Sequence, residues 1–170
     1  CYWNSTLRDP IGVYRAYFHL DGNTIVKDSA QEVTREIYPL FHGAVMKTFF
    51  TSGRICQSSR PLRPMCPQRL YASLATNLGA MVVFSDDFGQ TWDILGGMQV
   101  QPAPQGDEAK LVELPNGDVL LNCRARDADG RYLNIFHYTN PSRAEGAWEQ
   151  PVLSADTTTL GLYGARCNGE

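Results

Sequence analysis

Short apolar runs separated by turn residues dominate this chain, and they predict β-strands rather than helices. Runs rich in aliphatic and aromatic residues cover 13–20, 44–51, 70–76, 81–85, 108–114, 119–125 and 132–138. Gly, Asn, Asp and Pro stand between them, as in Pro115-Asn116-Gly117-Asp118, and these residue types favour the tight turns of β-hairpins. The best helical candidate is 28–35, for which we expect one short turn at most. The sequence therefore predicts an all-β protein.

The hairpins fall into three groups of similar size, at 1–43, 44–100 and 101–156. Such repetition is typical of a β-propeller, in which each blade is a four-stranded antiparallel sheet that buries its faces against neighbouring blades. About three blades are too few, because a closed propeller needs at least about four. We therefore expect residues 1–170 to form part of one propeller domain. The remaining blades would come from the same protein or from another chain.

Charge and cysteine content exclude several classes of partner. The net charge is −3 and no Lys/Arg cluster alternates with aromatic residues, which argues against nucleic acid. No stretch approaches the roughly 20 apolar residues of a spanning helix, so we expect no membrane insertion. The chain starts Cys-Tyr-Trp-Asn, without Met or a basic segment, so we expect it to start within a longer protein or after processing.

Five cysteines without a CxxC pair and three separated histidines predict neither a metal nor a cofactor. Cys56 and Cys66 are either a disulfide pair or free thiols.

Residues 85–92 match the motif S-x-D-x-G-x-T-W, known as the Asp-box. We expect Asp87 to cap the backbone of its own turn, Gly89 to adopt a positive φ and Trp92 to pack beneath. These roles are structural and predict a position at the outer rim of a blade, away from a substrate. The motif residues are Ser85, Asp87, Gly89, Thr91 and Trp92.

A second segment resembles a family of enzymes. Glu108, then a hairpin, then Leu121-Asn122-Cys123-Arg124 is similar to the sialidase (neuraminidase) pattern of a Glu, a hairpin and Leu-Asn-x-Arg. Segments 50–55, 84–89 and 167–170 also look like exo-sialidases of gut and oral Bacteroidales, in glycoside hydrolase family 33. The resemblance covers roughly the middle half of that catalytic domain. It implies part of a six-bladed β-propeller that is secreted, periplasmic or attached to the cell surface and acts on sialylated glycans.

The resemblance also implies roles for two residues. Arg124 looks like one of three arginines that bind the carboxylate of sialic acid, a task that suits the planar fork of a guanidinium. Glu108 looks like the carboxylate that draws the proton from a tyrosine nucleophile, because a phenol with a pKa of about 10 is otherwise a poor nucleophile. The reaction implied is retaining hydrolysis of terminal α-linked sialic acid. Tyr138 and Tyr163 do not stand in the nucleophile's context, and the other two arginines and the acid/base aspartate match no position. We therefore expect the 170 residues alone to be inactive.

Hairpin geometry adds one structural expectation. With Asn116-Gly117 as a two-residue turn, Glu108 would lie opposite Ala125, beside Arg124. Strict alternation would nevertheless point the side chains of Glu108 and Arg124 to opposite faces, so the sequence predicts a β-bulge that brings them together. The alternative is that both are solvated charges at strand ends. That alternative is favoured for three neighbouring charges, Asp107, Glu113 and Arg126.

The remaining candidates are weaker. Trp3 is a candidate for lining the sugar pocket by its position early in the matched region, although a role in a blade core is favoured. Ser52, Gly53 and Arg54 are candidates for a loop at the pocket mouth, with Arg54 as a candidate substrate-binding residue. The competing hypothesis for function is a non-catalytic Asp-box propeller fragment that binds glycans or a protein partner.

Overall fold

The computed structural model describes residues 2–4, 12–51, 54–61, 68–126 and 130–154, and within these ranges nearly all regular structure is antiparallel β-sheet. The first sheet has the order β1-β2-β3, formed by Tyr2–Asn4, Val13–Asp21 and Thr24–Glu32. The second has the order β4-β6-β7-β8, with β5 paired to β6 and β9 to β7. Its strands are Thr48–Phe50, Cys56–Gln57, Leu70–Thr76, Gly79–Ser85, Asp93–Ile94 and Ala103–Pro104.

The third sheet has the order β10-β11-β12-β13, with β14 paired to β12. Its strands are Gly106–Glu113, Val119–Ala125, Arg131–Asn140, Glu145–Trp148 and Leu153–Ser154. The all-β prediction is confirmed, and four consecutive neighbours form the body of the second and third sheets. Three further strands of two residues each, β5, β9 and β14, pair with the longer strands β6, β7 and β12. The predicted blade limits, 1–43, 44–100 and 101–156, stay a prediction.

Two hydrophobic cores separate the three sheets. The first lies between sheets one and two and includes Val13, Ile37 and Leu74. The second lies between sheets two and three and includes Val82 and Phe136. The second sheet is therefore covered on both faces. Covered faces explain why its central strands β6 and β7 read as runs of apolar and small residues instead of alternating apolar and polar ones.

The one short helical turn expected within 28–35 is present, but it begins only at Thr34. Residues up to Glu32 belong to β3, where Glu32 pairs with Tyr14 on β2. The helical segment comes later, as α1 at Thr34–Ile37 followed by a 3-10 turn at Tyr38–Phe41. Burial explains the position, because Ile37 and Phe41 are fully buried in the first core, whereas β3 is almost entirely exposed. None of the helices in the described ranges has the length and apolar content needed to cross a membrane.

Candidate active site

The hairpin of β10 and β11 sets the geometry of the candidate site. The amide of Leu114 donates to the carbonyl of Asp118 at 2.8 Å, so residues 115–117 form the loop, and Gly117 in that loop has φ 95°. The loop is one residue longer than the turn expected from the sequence, which shifts the pairing of the strands. That register alone would place Ala125 opposite Asp107 rather than Glu108, and an irregularity within β10 moves it one residue further, opposite Gly106.

The predicted β-bulge is present. The register shifts between Gly106 and Ala109, so that Asp107 and Glu108 both lie opposite Arg124. As a result, Arg124 Nη1 lies 3.2 Å from Glu108 Oε2, and Arg124 Nη2 lies 2.9 Å from Asp107 Oδ2. The side chains of Arg124 and Glu108 are 25 % and 32 % exposed, which leaves both within reach of a ligand from solution.

Sequence reasoning did not identify Asp107 as a partner of Arg124, although this contact is shorter than the contact of Arg124 with Glu108. Formal charges of the three side chains sum to −1 at neutral pH. One guanidinium shared by two carboxylates cannot by itself attract an anion, so binding an acidic sugar at this point requires further positive charge. The contact of Asp107 with Arg124 could have been predicted from the sequence, because Asp107 is next to Glu108 at the predicted bulge and both residues of a bulge lie opposite the same residue of the paired strand.

Tight packing holds the bulge in place. A Cβ on Gly106 would lie 2.6 Å from Cys123 Sγ and 2.8 Å from the carbonyl oxygen of Ala103, so only glycine fits there without a shift. Arg126 Nη2 donates to the carbonyls of Thr76, at 2.6 Å, and Gly106, at 3.1 Å. Burial raises the pKa of Cys123 to about 12, so its thiol stays protonated and acts as packing.

The expectation that Asp107, Glu113 and Arg126 are solvated charges is therefore wrong. Arg126 donates a hydrogen bond to the carbonyl of Gly106 at the bulge, and Asp107 forms an ion pair with Arg124. Glu113 has only 9 % of its side chain exposed; it accepts a hydrogen bond from the amide of Ser59 at 2.7 Å. Each of these contacts joins residues at least 17 positions apart, so the local sequence did not indicate that these charges have partners.

The Asp-box forms a compact capped turn after β7. Asp87 accepts hydrogen bonds from the Thr91 amide at 2.8 Å, the Thr91 hydroxyl at 2.6 Å and the Ser85 hydroxyl at 2.8 Å. Ser85 Oγ in turn accepts from the amide of Gly89, which has φ 79°. Burial raises the pKa of Asp87, but the hydrogen bonds from Thr91 and Ser85 outweigh it and hold the pKa below its ordinary value.

A long-range contact ties this turn to the first sheet. Arg15 on β2 donates through Nη1 to the carbonyls of Gly89, at 2.9 Å, and Gln90, at 2.7 Å. Trp92 packs edge-on against Phe50, with ring centroids 5.8 Å apart, inside the first core. The Asp-box lies after the last residue of β7, whereas Arg126 and the bulge lie at the other end of that strand, beside the β6–β7 turn.

The weaker candidates do not join the pair. Arg54 is exposed and lines a depression of about 450 Å³, whose lining contains neither Glu108 nor Arg124. Trp3 lies on β1 with its backbone opposite Tyr14, and its side chain is outside what the structure describes. Two further candidates, Ser52 and Gly53, also lie outside the described residues.

Cysteine and metal chemistry add little. Cys56 and Cys123 are free thiols, while Cys66, the proposed partner of Cys56, lies outside the described residues. Within the ranges that the structure covers, no group of three or more His, Cys, Asp or Glu side chains is arranged to hold a metal ion.

One solved structure shows where this fold belongs. The crystal structure of the intramolecular trans-sialidase from Ruminococcus gnavus in complex with oseltamivir carboxylate is similar to the chain, with a TM-score of 0.54 and 18 % sequence identity. The match covers 85 % of this chain and 27 % of that chain, so the chain spans about a quarter of that protein's length. No protein-family model matches the sequence, and no curated protein does. The three sheets thus have the fold of part of a sialidase β-propeller.

Proposed function

We propose that this chain contributes to the catalytic propeller of a secreted, periplasmic or surface-attached exo-α-sialidase. The observation that carries the proposal is the bulge, which brings Glu108 and Arg124 to 3.2 Å although plain strand alternation would separate them. Together with the resemblance in sequence, the likeness to a trans-sialidase fold supports this assignment.

In the proposed mechanism, Arg124 donates two hydrogen bonds to the carboxylate of a terminal sialic acid. Glu108 accepts the proton of a tyrosine nucleophile, which attacks the anomeric carbon and inverts its configuration while the glycosidic bond breaks. An aspartic acid from another segment of the protein protonates the leaving oxygen. A neutral phenol is suited to this role because it brings no second anion against the sugar's own carboxylate. Water then attacks the anomeric carbon and inverts it a second time, giving its proton to the aspartate, while the tyrosine leaves and takes back the proton from Glu108. The net result is hydrolysis with retention, and another hydroxyl in place of water gives transfer.

The charge of the site sets a condition on this mechanism. Asp107 and Glu108 outweigh Arg124, so the carboxylate needs the two further arginines that the family pattern supplies from other segments. When the substrate arrives, it competes with Glu108 for Arg124 Nη1. Loss of that contact would free Glu108 to accept the phenolic proton, while Asp107 keeps the guanidinium oriented through Nη2.

Completion of the propeller by further blades is part of the proposal. The β2–β3 hairpin leaves Leu20 and Ile25 at its tip 73 % and 70 % exposed, with Phe18 on the same face 45 % exposed. Apolar side chains of this size on one face favour contact with another protein surface. A neighbouring segment of the same propeller is the partner that the fold supports.

The test uses the full-length protein that contains this chain and a 4-methylumbelliferyl sialoside. We expect Glu108→Gln and Arg124→Lys each to reduce kcat/KM by about a hundredfold or more, because each removes an interaction with the reacting groups. Glu145→Gln and Arg143→Lys are matched controls, since both side chains are more than half exposed on the edge of the third sheet. Near-normal activity in either site variant would refute the assignment.

The second candidate function is a non-catalytic propeller segment that binds glycans or a protein. The net negative charge of the Asp107, Glu108 and Arg124 group favours it, because such a group does not attract an acidic sugar unaided. A full-length protein that binds neutral glycans but never cleaves the sialoside would support this alternative.

A further inference from the structure

A separate cavity lies at the opposite end of the third sheet from Arg124. It has a volume of about 310 Å³ and lies beside the 115–117 turn, between strand β6 and strands β10 and β12. Asp118 lines it, and Arg124 is six positions further along extended chain, a distance of roughly 20 Å. The side chains that matter for its chemistry are Ser58, Arg60, Tyr71, Glu113, Asp118 and Tyr138.

Tyr71, which is buried, and Tyr138, which is partly buried, hold one phenolic proton that no group among the described residues accepts. The hydroxyl oxygens of Tyr71 and Tyr138 lie 2.9 Å apart, so one of the two phenolic protons lies between them. Arg69 donates its own hydrogen to the Tyr138 oxygen at 3.2 Å, and therefore uses neither phenolic proton. Burial raises the pKa of both phenols, so both protons are present at neutral pH. Within the part of the chain that the structure describes, nothing accepts the second proton.

The charged groups on the cavity wall are of both signs. Arg60 lies 3.6 Å from Glu113, and its guanidinium also donates to the carbonyl of Pro115. Asp118 accepts from Asn116 and faces a ring nitrogen of His137 at 2.7 Å. An anionic ligand would meet two carboxylates here, and a bare cation would meet a guanidinium and a phenolic proton. A neutral ligand that both donates and accepts hydrogen bonds avoids both repulsions, because it can donate to the carboxylates and accept from the phenol.

We propose that this cavity binds the ring of a neutral sugar, with the unused phenolic proton donated to one hydroxyl and with Glu113 or Asp118 accepting from another. The volume fits this class, since about 310 Å³ is at the lower end of small-molecule pockets and holds one pyranose ring with some water. The site is distinct from the Glu108–Arg124 pair, and it stands whether or not the chain belongs to an active sialidase.

The test is an amide NMR titration of the 15N-labelled full-length protein that contains this chain with the methyl glycosides of galactose, glucose and mannose. We expect saturable shifts at the amides of Gly117, Asp118 and Tyr138 with one of them, at a dissociation constant near the millimolar range, and unchanged signals at Arg124. No saturable shift with any of the three glycosides overturns the proposal. Saturation by inorganic phosphate or by Ca²⁺ in their place overturns it too.

Variants identify the groups responsible. The double variant Tyr71→Phe with Tyr138→Phe removes both hydroxyls and should weaken binding about fivefold or more, because a buried donor is lost. Tyr132→Phe, on the same strand as Tyr138, is the control and should bind as the wild type does. If the double variant does not fold, Glu113→Gln and Asp118→Asn, made singly, provide the same test through the two acceptors. Unchanged affinity in the folded double variant, or in both acceptor variants, would reject the site.

Discussion

Replacing Asp87 with Ala should destabilise the protein through the Asp-box alone. The side chain accepts two hydrogen bonds from Thr91 and one from Ser85, and each is worth about 1 kcal/mol net, so the loss should be about 3 kcal/mol. We therefore expect the free energy of unfolding of the full-length protein to fall by about 3 kcal/mol, with a lower Tm. Asp87→Asn keeps part of the acceptor capacity and should lie between Ala and the wild type.

The pH dependence of that loss provides a second measurement. The pKa of Asp87 is lower in the folded protein than in the unfolded chain, so its contribution is complete above the unfolded carboxyl pKa of about 3.9. The contribution is lost as the pH falls through the folded pKa. The difference in stability between the wild type and Asp87→Ala should therefore be constant near neutrality and should shrink below about pH 4.

The assay is urea or thermal unfolding monitored by circular dichroism. Asp21→Ala is the matched control, because Asp21 is an exposed carboxylate at the turn between β2 and β3. It should change the free energy of unfolding by less than about 0.5 kcal/mol. A loss below about 1 kcal/mol in Asp87→Ala at neutral pH would show that the capped turn does not stabilise the fold as argued.

Two further substitutions test the third sheet. Gly106→Ala should destabilise the protein by about 1–3 kcal/mol, because its Cβ would lie 2.6 Å from Cys123 Sγ, and a Tm equal to that of the wild type would contradict the packing of the bulge. His137→Gln should lower Tm at about pH 5.5 and change it little at about pH 9, because the contacts of His137 with Asp118 and Glu149 raise its pKa and stabilise the fold only while the ring is charged. A difference in Tm that does not vary with pH would refute that role.

The parts of the fold that sequence reasoning predicted are those decided locally. Strands β6 and β11 begin and end at the residues predicted, because turn residues limit each apolar run on both sides. The capped turn of the Asp-box was predicted from its motif, since Asp87 caps a turn made by its immediate neighbours. The β-bulge was predicted because alternation alone could not bring Glu108 and Arg124 together.

The parts that were wrong or missed depend on distant contacts. The register of β10 and β11 follows from a loop of three residues, which Asn116-Gly117 did not reveal. Asp107 pairs with Arg124 only because the bulge turns it towards the same partner as Glu108. Arg15 caps the Asp-box from 74 positions away, and no local pattern marks such a contact.

A crystal structure of the full-length protein with an unsaturated sialic acid analogue would test the central claim most directly. We predict the carboxylate of the analogue at about 3 Å from the guanidinium of Arg124, with Glu108 turned from Arg124 to a tyrosine hydroxyl. If the analogue binds elsewhere while Arg124 keeps both Asp107 and Glu108 as partners, the assignment of this pair to an acidic-sugar site is contradicted.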